Sequence, residues 1–415
     1  EPYRRQRQMC IRDRVNDVTL EMIKDAAYTI KDSIKRTQLM ECPTLFEMTG
    51  NRVYFKLENL QKTGSFKIRG AMNKIMNLTD EEKARGVIAS SAGNHAQGVA
   101  LGATSLGIKS TIVMPGTAPL SKVAATKNYG AEVVQVGTVY DDAYKKACEI
   151  QKETGATFLH PFDDPYVIAG QGTIGLEILE DLENVDIVIV PIGGGGIISG
   201  IAKAIKSIKK DVKIIGVEPS NAPSMKEAVA KGCPCTVKVS PTIADGIAVA
   251  RAGNLTCKII SEYVDDIVTV TEDELAKAIL FLLEKSKVLA EGAGASPLAA
   301  LLSGKIKEKG KNICCVVSGG NADITAVERI INKALVLSGR KVELNVIVED
   351  RFGELNKLLS ILAQEKASVL SINQTMYSSN LPINSQKATV AIECMDEAHR
   401  DRIIETIKSA GFQLR

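Results

Sequence analysis

Ile187-Val188-Ile189-Val190-Pro191-Ile192-Gly193-Gly194-Gly195-Gly196-Ile197 runs from an apolar, largely β-branched stretch into four consecutive glycines. A short run that is apolar on both faces is the pattern of a parallel strand buried between layers of helices. After the glycines, residues 196–208 recur with helical spacing. The stretch therefore reads as strand, glycine loop and helix. Glycines allow backbone N–H groups to approach an anion unobstructed, and the helix N-terminus adds partial positive charge. This makes Gly193, Gly194, Gly195 and Gly196 a candidate phosphate cradle. A glycine run alone is also what a tight turn looks like, and only the strand-loop-helix setting points to an anion. The loop lacks the lysine of a P-loop, so a nucleoside triphosphate is disfavoured.

The same alternation extends in both directions. Strands are expected at 53–57, 87–90, 110–114, 132–136, 187–191, 213–218, 266–270 and 313–318. Helices are expected at 120–129, 139–154, 170–182, 196–208 and 272–286. Strands alternating with helices of this length imply open parallel sheets with helices on both faces. Such sheets bind ligands at the loops that follow the strand C-termini.

Past residue 341 the period changes. Residues 342–349 alternate like a strand, 369–377 and 387–394 read as strands, 353–365 and 397–410 as helices, and 412–415 as a short last strand. That is a separate small α+β unit. The expected organisation is a non-native or disordered tail at 1–14, a catalytic domain at 15–333, a linker at 334–340 and the small domain at 341–415. The tail holds Arg4, Arg5, Arg7, Arg12 and Arg14 without an apolar stripe or signal-peptide core.

The 415 residues carry 52 basic and 49 acidic side chains, a formal charge of +3. That balance argues against nucleic acid as a partner. The longest uncharged apolar stretch, 187–202, is broken by Pro191 and the glycine run, so no membrane span is expected. The nine cysteines lack zinc-site or redox spacing and read as free thiols of a cytoplasmic protein.

Several other loops carry chemistry. Thr63-Gly64-Ser65-Phe66-Lys67-Ile68-Arg69-Gly70 sets Lys67 in a small, apolar turn that opens a helix. Shelter from water disfavours the ammonium form, and a neutral amine can attack a carbonyl and hold a Schiff base. Ser90-Ser91-Ala92-Gly93-Asn94-His95 follows a strand and offers hydroxyls, an amide and free N–H groups to a carboxylate or ring hydroxyl, although a simple helix cap would look the same. His95 reads as packing at the helix start, and no base role is assigned to it. Ser318-Gly319-Gly320-Asn321 ends another strand, and Glu291 sits in a small-residue turn whose plainer reading is a capping acid. A lysine fit for a Schiff base, a phosphate cradle, a carboxylate-binding serine loop and a strand-end serine together describe a pyridoxal phosphate site.

In this order, 63–70, 91–98, Gly170-Gln171-Gly172-Thr173-Ile174-Gly175-Leu176-Glu177 and 193–196 resemble the threonine/serine dehydratase family of fold-type II pyridoxal phosphate enzymes, over about residues 15–333. The resemblance implies an α/β fold of two parallel-sheet subdomains of the tryptophan synthase β-like kind. It implies that Lys67 anchors the cofactor and moves the α-proton, with Phe66 and Glu291 in the cofactor pocket. Asn94 would meet the ring hydroxyl. Gly193, Gly194, Gly195, Gly196 and the N–H of Ile197 would hold the phosphate, and Ser318 would face the pyridine nitrogen. Ser91, Ala92, Gly93 and Asn94 would receive the substrate carboxylate. The implied reaction is β-elimination of L-threonine to 2-oxobutanoate and ammonia, with L-serine as a second substrate, in isoleucine biosynthesis or threonine catabolism. Alternatives are a serine dehydratase or racemase, or a non-catalytic amino-acid sensor. Where related serine racemases carry a proton-bearing serine, Ala92 stands, which favours elimination. Some relatives bind a cation near the counterpart of Glu218, but Ser224 replaces an acidic ligand, so no metal is assigned. The C-terminal unit resembles an ACT (ferredoxin-like) domain. That implies an amino-acid or nucleotide effector and a homodimer or homotetramer. Its loop Asp350-Arg351-Phe352-Gly353-Glu354 has Phe352 where the family pattern has proline.

Overall fold

The computed structural model describes residues 17–376 and 381–415. The basic segment 1–14 and Tyr377, at the end of one expected strand, lie outside the described residues. The chain divides into two compact units, the first ending at Ala322 and the second spanning Asp323–Arg415.

The first unit holds two sheets. The larger has the strand order β1 (Leu39–Glu41), β2 (Arg52–Leu57), β10 (Asn312–Val317), β7 (Ile187–Pro191), β8 (Lys213–Pro219) and β9 (Asp266–Val270). Its strands are parallel except β1, which pairs antiparallel with β2 at the edge. The smaller is wholly parallel, in the order β5 (Glu132–Gln135), β4 (Ser110–Met114), β3 (Val87–Ser90) and β6 (Thr157–Phe158). Every residue of β7 and of β3 is buried, as their continuous apolar runs require. Val188, Val190, Ile192, Ile198 and Ile201 belong to the core around the larger sheet, and Val87, Ala89, Val99 and Ile112 to that of the smaller.

Two helices depart from the sequence pattern for local reasons. The helix expected from Gly170 begins at Pro165 and runs to Asp181; the Asp164 side chain accepts from Tyr166 N and Val167 N and so starts it early. The helix expected through 286 is α only over Glu272–Phe281 and continues as a π turn over Leu282–Ser286. The strands β1 and β6 have three and two residues, too few to show an alternation.

The second unit opens with the helix Ile324–Leu337, which runs through position 333, where the first domain was expected to end. Then come β11 (Lys341–Glu349), the helix Glu354–Gln364, β12 (Ser368–Thr375), β13 (Ser385–Glu393), the helix Glu397–Ser409 and β14 (Gln413–Leu414). The sheet order is β12-β13-β11-β14, all antiparallel. Leu344, Val346 and Val348 alternate inward on β11 and pack in one core with Leu358, Leu362, Ile403 and Ile407 of the two helices. Among the described residues no helix is long and apolar enough to cross a membrane.

Candidate active site at the strand ends of the first unit

The loop after β2 is fastened to the loop after β10. Phe66 N donates to Ser318 O (3.0 Å), Gly320 N donates to Gly64 O (2.9 Å), and Ser65 bridges Gly319. Gly64 takes φ +70°, a turn that costs a residue with a Cβ. The joint delivers Lys67 as the first residue of the helix Lys67–Met76. The amine of the half-buried Lys67 donates to Pro161 O at 2.8 Å and lies 5.2 Å from the centre of the Phe66 ring. Burial pushes its pKa from 10.5 to about 8, and the nearby Glu291 carboxylate opposes that shift. A substantial neutral fraction near physiological pH is what a nucleophilic or proton-accepting lysine needs.

A chain of amides joins the neighbouring loops. Asn321 Nδ2 donates to Thr63 O (2.7 Å) and to Asn94 Oδ1 (2.8 Å), and Asn94 Nδ2 donates to Glu291 Oε1 (2.8 Å). Glu291 precedes the helix Gly292–Leu302, and its backbone N–H reaches Gly319 O at 3.1 Å. Burial lifts its carboxyl from 4.5 to about 7; Asp245 adds to the rise, while the Asn94 hydrogen bond, Lys122 and Lys67 work against it. Asp245 forms an ion pair with Lys122 at 2.9 Å. Ser318 is buried at the end of β10.

Ser91, Ala92, Gly93 and Asn94 are all partly accessible ahead of the helix Asn94–Thr104. Ser91 Oγ accepts from Gly93 N at 3.3 Å, and a Cβ built on Gly93 would meet no atom within 4 Å. His95 is buried beside them with one ring nitrogen 2.9 Å from Leu159 O. Burial carries its pKa down to about 3, so it stays neutral and packs at the helix start.

The glycine loop is packed so closely that side chains are excluded from it. Gly195 has φ +95°, and a Cβ there would press within 2.7 Å of Met225 Cε and 2.8 Å of Thr256 Cβ. A Cβ on Gly194 would overlap the Phe162 ring. Thr256 Oγ1 donates to Gly194 O at 2.7 Å. Ile197 is buried in the first turn of the helix Gly196–Ile208 that follows. The loop Asp245–Ile247 connects this cradle to the carboxyl: a Cβ on Gly193 would lie 3.0 Å from Ile247 Cα, and one on Gly246 would lie 3.5 Å from Glu291 Oε1. A loop of residues without side chains of their own at a helix N-terminus, plus one amine of lowered pKa, fits a ligand that carries both a phosphate and an aldehyde.

Beneath Lys67 lies a buried charge network. Arg69, with no exposed surface, grips Glu58 through Nε (2.8 Å) and Nη2 (2.8 Å) and Glu177 through Nη1 (2.6 Å) and Nη2 (2.9 Å). Lys56 reaches Glu177 at 2.6 Å. Burial opposes each charge, yet these partners hold the Glu58 carboxyl below its usual range and the Arg69 guanidinium above its own.

Glu218 follows a different logic. Its carboxyl accepts from Met225 N (2.8 Å) and Lys226 N (2.9 Å) at the start of the helix Ser224–Lys231, and burial raises it to about 7 against those bonds. Among the described residues no group of three or more His, Cys, Asp or Glu side chains is arranged for a metal.

The structure thus gathers Lys67, Phe66, Asn94, Glu291, Ser318 and the 193–197 loop into one connected set, with 91–93 beside it. Sequence reading missed Asn321, the Pro161 carbonyl, and the Lys122–Asp245 pair. Asn321 lay in a motif already singled out with Ser318. The other two have no local pattern, one being a backbone oxygen and the other an ion pair 123 residues apart in the chain.

Residues 30–319 match the family model described as "Pyridoxal-phosphate dependent enzyme". The chain is 52% identical over 398 residues to an L-threonine ammonia-lyase of Thermotoga maritima, covering 96% of this chain and 99% of that protein. Among solved structures it is similar to the processed form of threonine deaminase isoform 2 from Solanum lycopersicum, with a TM-score of 0.73, 38% identity, and coverage of 77% of this chain and 96% of that one. Maize serine racemase gives the same TM-score and identity, over 77% of this chain and 98% of its own.

Proposed function

The chain belongs to the pyridoxal-phosphate dependent enzyme family, and from that premise we propose that it converts L-threonine to 2-oxobutanoate and ammonia by β-elimination, with L-serine as a second substrate. The observation that carries this reading is Lys67. Its amine, with a pKa near 8, stands where the strand-end loops meet. The name borne by the relative from Thermotoga maritima supports the substrate.

The cofactor, when bound, supplies a conjugated system that takes up the electron pair left when the substrate's α C–H bond breaks. Every other task falls to this chain. Lys67 would hold the cofactor through its side-chain nitrogen, and its lowered pKa leaves the free amine neutral enough to accept the α-proton. Pro161 O gives that amine a resting partner on one side of the pocket. The N–H groups of residues 193–197 would hold the phosphate, and Phe66 would border the cofactor beside the lysine. Asn94 keeps one amide hydrogen for the ring hydroxyl while Asn321 and Glu291 fix its orientation. Ser318 presents a neutral hydroxyl to the pyridine nitrogen. A neutral partner would leave the bound ring a weaker electron sink than an aspartate would, which suits prompt loss of the β-hydroxyl, leaving as water with the proton that Lys67 took from the α-carbon. Ser91, Ala92, Gly93 and Asn94 take the substrate carboxylate at the open helix start. Ala92 has no proton to give, so the α-proton is handled by Lys67 alone.

For residues 341–415 the reading is an ACT-like regulatory domain that binds an amino-acid or nucleotide effector in a cytoplasmic homodimer or homotetramer. Its β-α-β-β-α-β order and Gly353, at φ +93° ahead of the first helix, support it. The catalytic residues named above all lie in the first unit, which ends at Ala322. The test is the rate of 2-oxo acid release from L-threonine and L-serine by the cofactor-loaded protein, with and without isoleucine, valine and AMP. Faster release from L-threonine, altered by one effector, is expected. Conversion of L-serine to its enantiomer without 2-oxo acid release would overturn the reading in favour of a racemase.

A further inference from the structure

Gln171 is wholly buried, yet neither end of its side-chain amide has a hydrogen-bond partner in the protein. Native interiors rarely leave both ends of an amide unpaired without a bound molecule to serve them. Its position says which molecule. The helix Pro165–Asp181 wedges between the helix that starts at Lys67 and the helix that starts at Gly196. Gly172 is so close to the latter that a Cβ there would sit 2.9 Å from Gly200 O, and Gly170 is likewise tight against Arg69 O. From this wedge the Gln171 side chain extends to both helix starts. A Cβ on Gly196 would lie 2.7 Å from Gln171 Oε1, and one on Gly70 would lie 3.0 Å from its Nε2. Glycine at 196 and at 70 leaves the room the amide occupies.

We propose that Gln171 is a phosphate ligand of the cofactor, its terminal NH2 donating a hydrogen bond to a phosphate oxygen at the start of the helix Gly196–Ile208. A phosphate dianion only accepts hydrogen bonds, so it selects the NH2 end of the amide. A half-turn of the terminal amide exchanges its two ends with no other movement and brings the NH2 to the glycine loop. The backbone N–H groups of the loop supply donors from one direction, and Gln171 supplies one from the flank. This deepens the proposed function and rests on it.

The test compares pyridoxal phosphate with pyridoxal, which lacks the phosphate but offers the same aldehyde to Lys67. Apoprotein is titrated with each and binding is read from the visible absorbance of the covalent link. For Gln171→Leu the expected result is a loss of affinity for pyridoxal phosphate of about 10- to 100-fold, the weight of a hydrogen bond to a charged group, with affinity for pyridoxal unchanged. Gln171→Glu keeps the shape and sets a carboxylate against the phosphate, so its loss should be larger, again confined to pyridoxal phosphate. It also serves if the leucine variant does not fold. Equal weakening of both ligands would assign Gln171 to helix packing and overturn the inference, as would no change in either. Wild-type protein that binds neither aldehyde would overturn both this inference and the functional reading, whereas wild type that binds both normally isolates any failure to Gln171.

Discussion

The two units treat burial in opposite ways. In the second, apolar residues on β11 alternate inward and polar ones outward, and its helices close one core with Leu358, Leu362, Ile403 and Ile407. In the first, β7 and β3 are buried along their whole length, while Lys56, Glu58 and Arg69 carry charge at positions with no exposed surface. Such groups are tolerable only because each finds an opposite partner. The lesson is that the first unit gives up the simple burial rule around one helix, and that helix carries Lys67.

The largest effect expected from this contrast is functional. Lys67→Ala should abolish the visible absorbance of bound cofactor and reduce turnover at least ~10³-fold, while far-UV circular dichroism stays unchanged. Retained absorbance and turnover would detach the chemistry from this helix. Next in size is Arg69→Ala, which strands Glu58 and Glu177 without their guanidinium. It should destabilise the first unit by about 3–5 kcal/mol in urea unfolding. A loss below 1 kcal/mol would mean that water enters the network and the contrast is shallow.

A smaller effect concerns pH. The folded pKa of Glu218 is raised from 4.5 to about 7, so the folded state holds its proton more tightly than the unfolded chain does. Its contribution is therefore fully present below about pH 4.5 and is lost as pH rises towards 7. Glu218→Gln should flatten the fall of stability across that window, seen as melting temperature against pH. An unchanged slope would place the titration elsewhere. Smallest of all is Lys146→Ala, which removes an exposed pair with Glu149 in the first unit. It should shift stability by about 0.5 kcal/mol or less, and a larger loss would show that exposed pairs in this unit matter as buried ones do.

The contrast also explains what could be read from the chain alone. Strands such as Ile187–Pro191 and Ser110–Met114 stand where their apolar runs put them, because a continuous run has few other ways to be buried. In the second unit β11 was legible from its alternation at period two. The start at Pro165 was missed because the capping Asp164 lies ahead of the periodic residues. In the site, Lys67, Asn94, Glu291, Ser318 and the glycines announced themselves through their loops. Pro161 could not, since its contribution is a main-chain oxygen. Gln171 was quoted as part of a motif, yet only the absence of partners around its buried amide gives it a role.

The central claim is that one lysine carries the cofactor. Cofactor-loaded protein reduced with borohydride, digested and analysed by mass spectrometry tests it directly. A single peptide bearing one reduced pyridoxyl phosphate group, on Lys67, is expected. A label on another lysine, or none after loading, would contradict it.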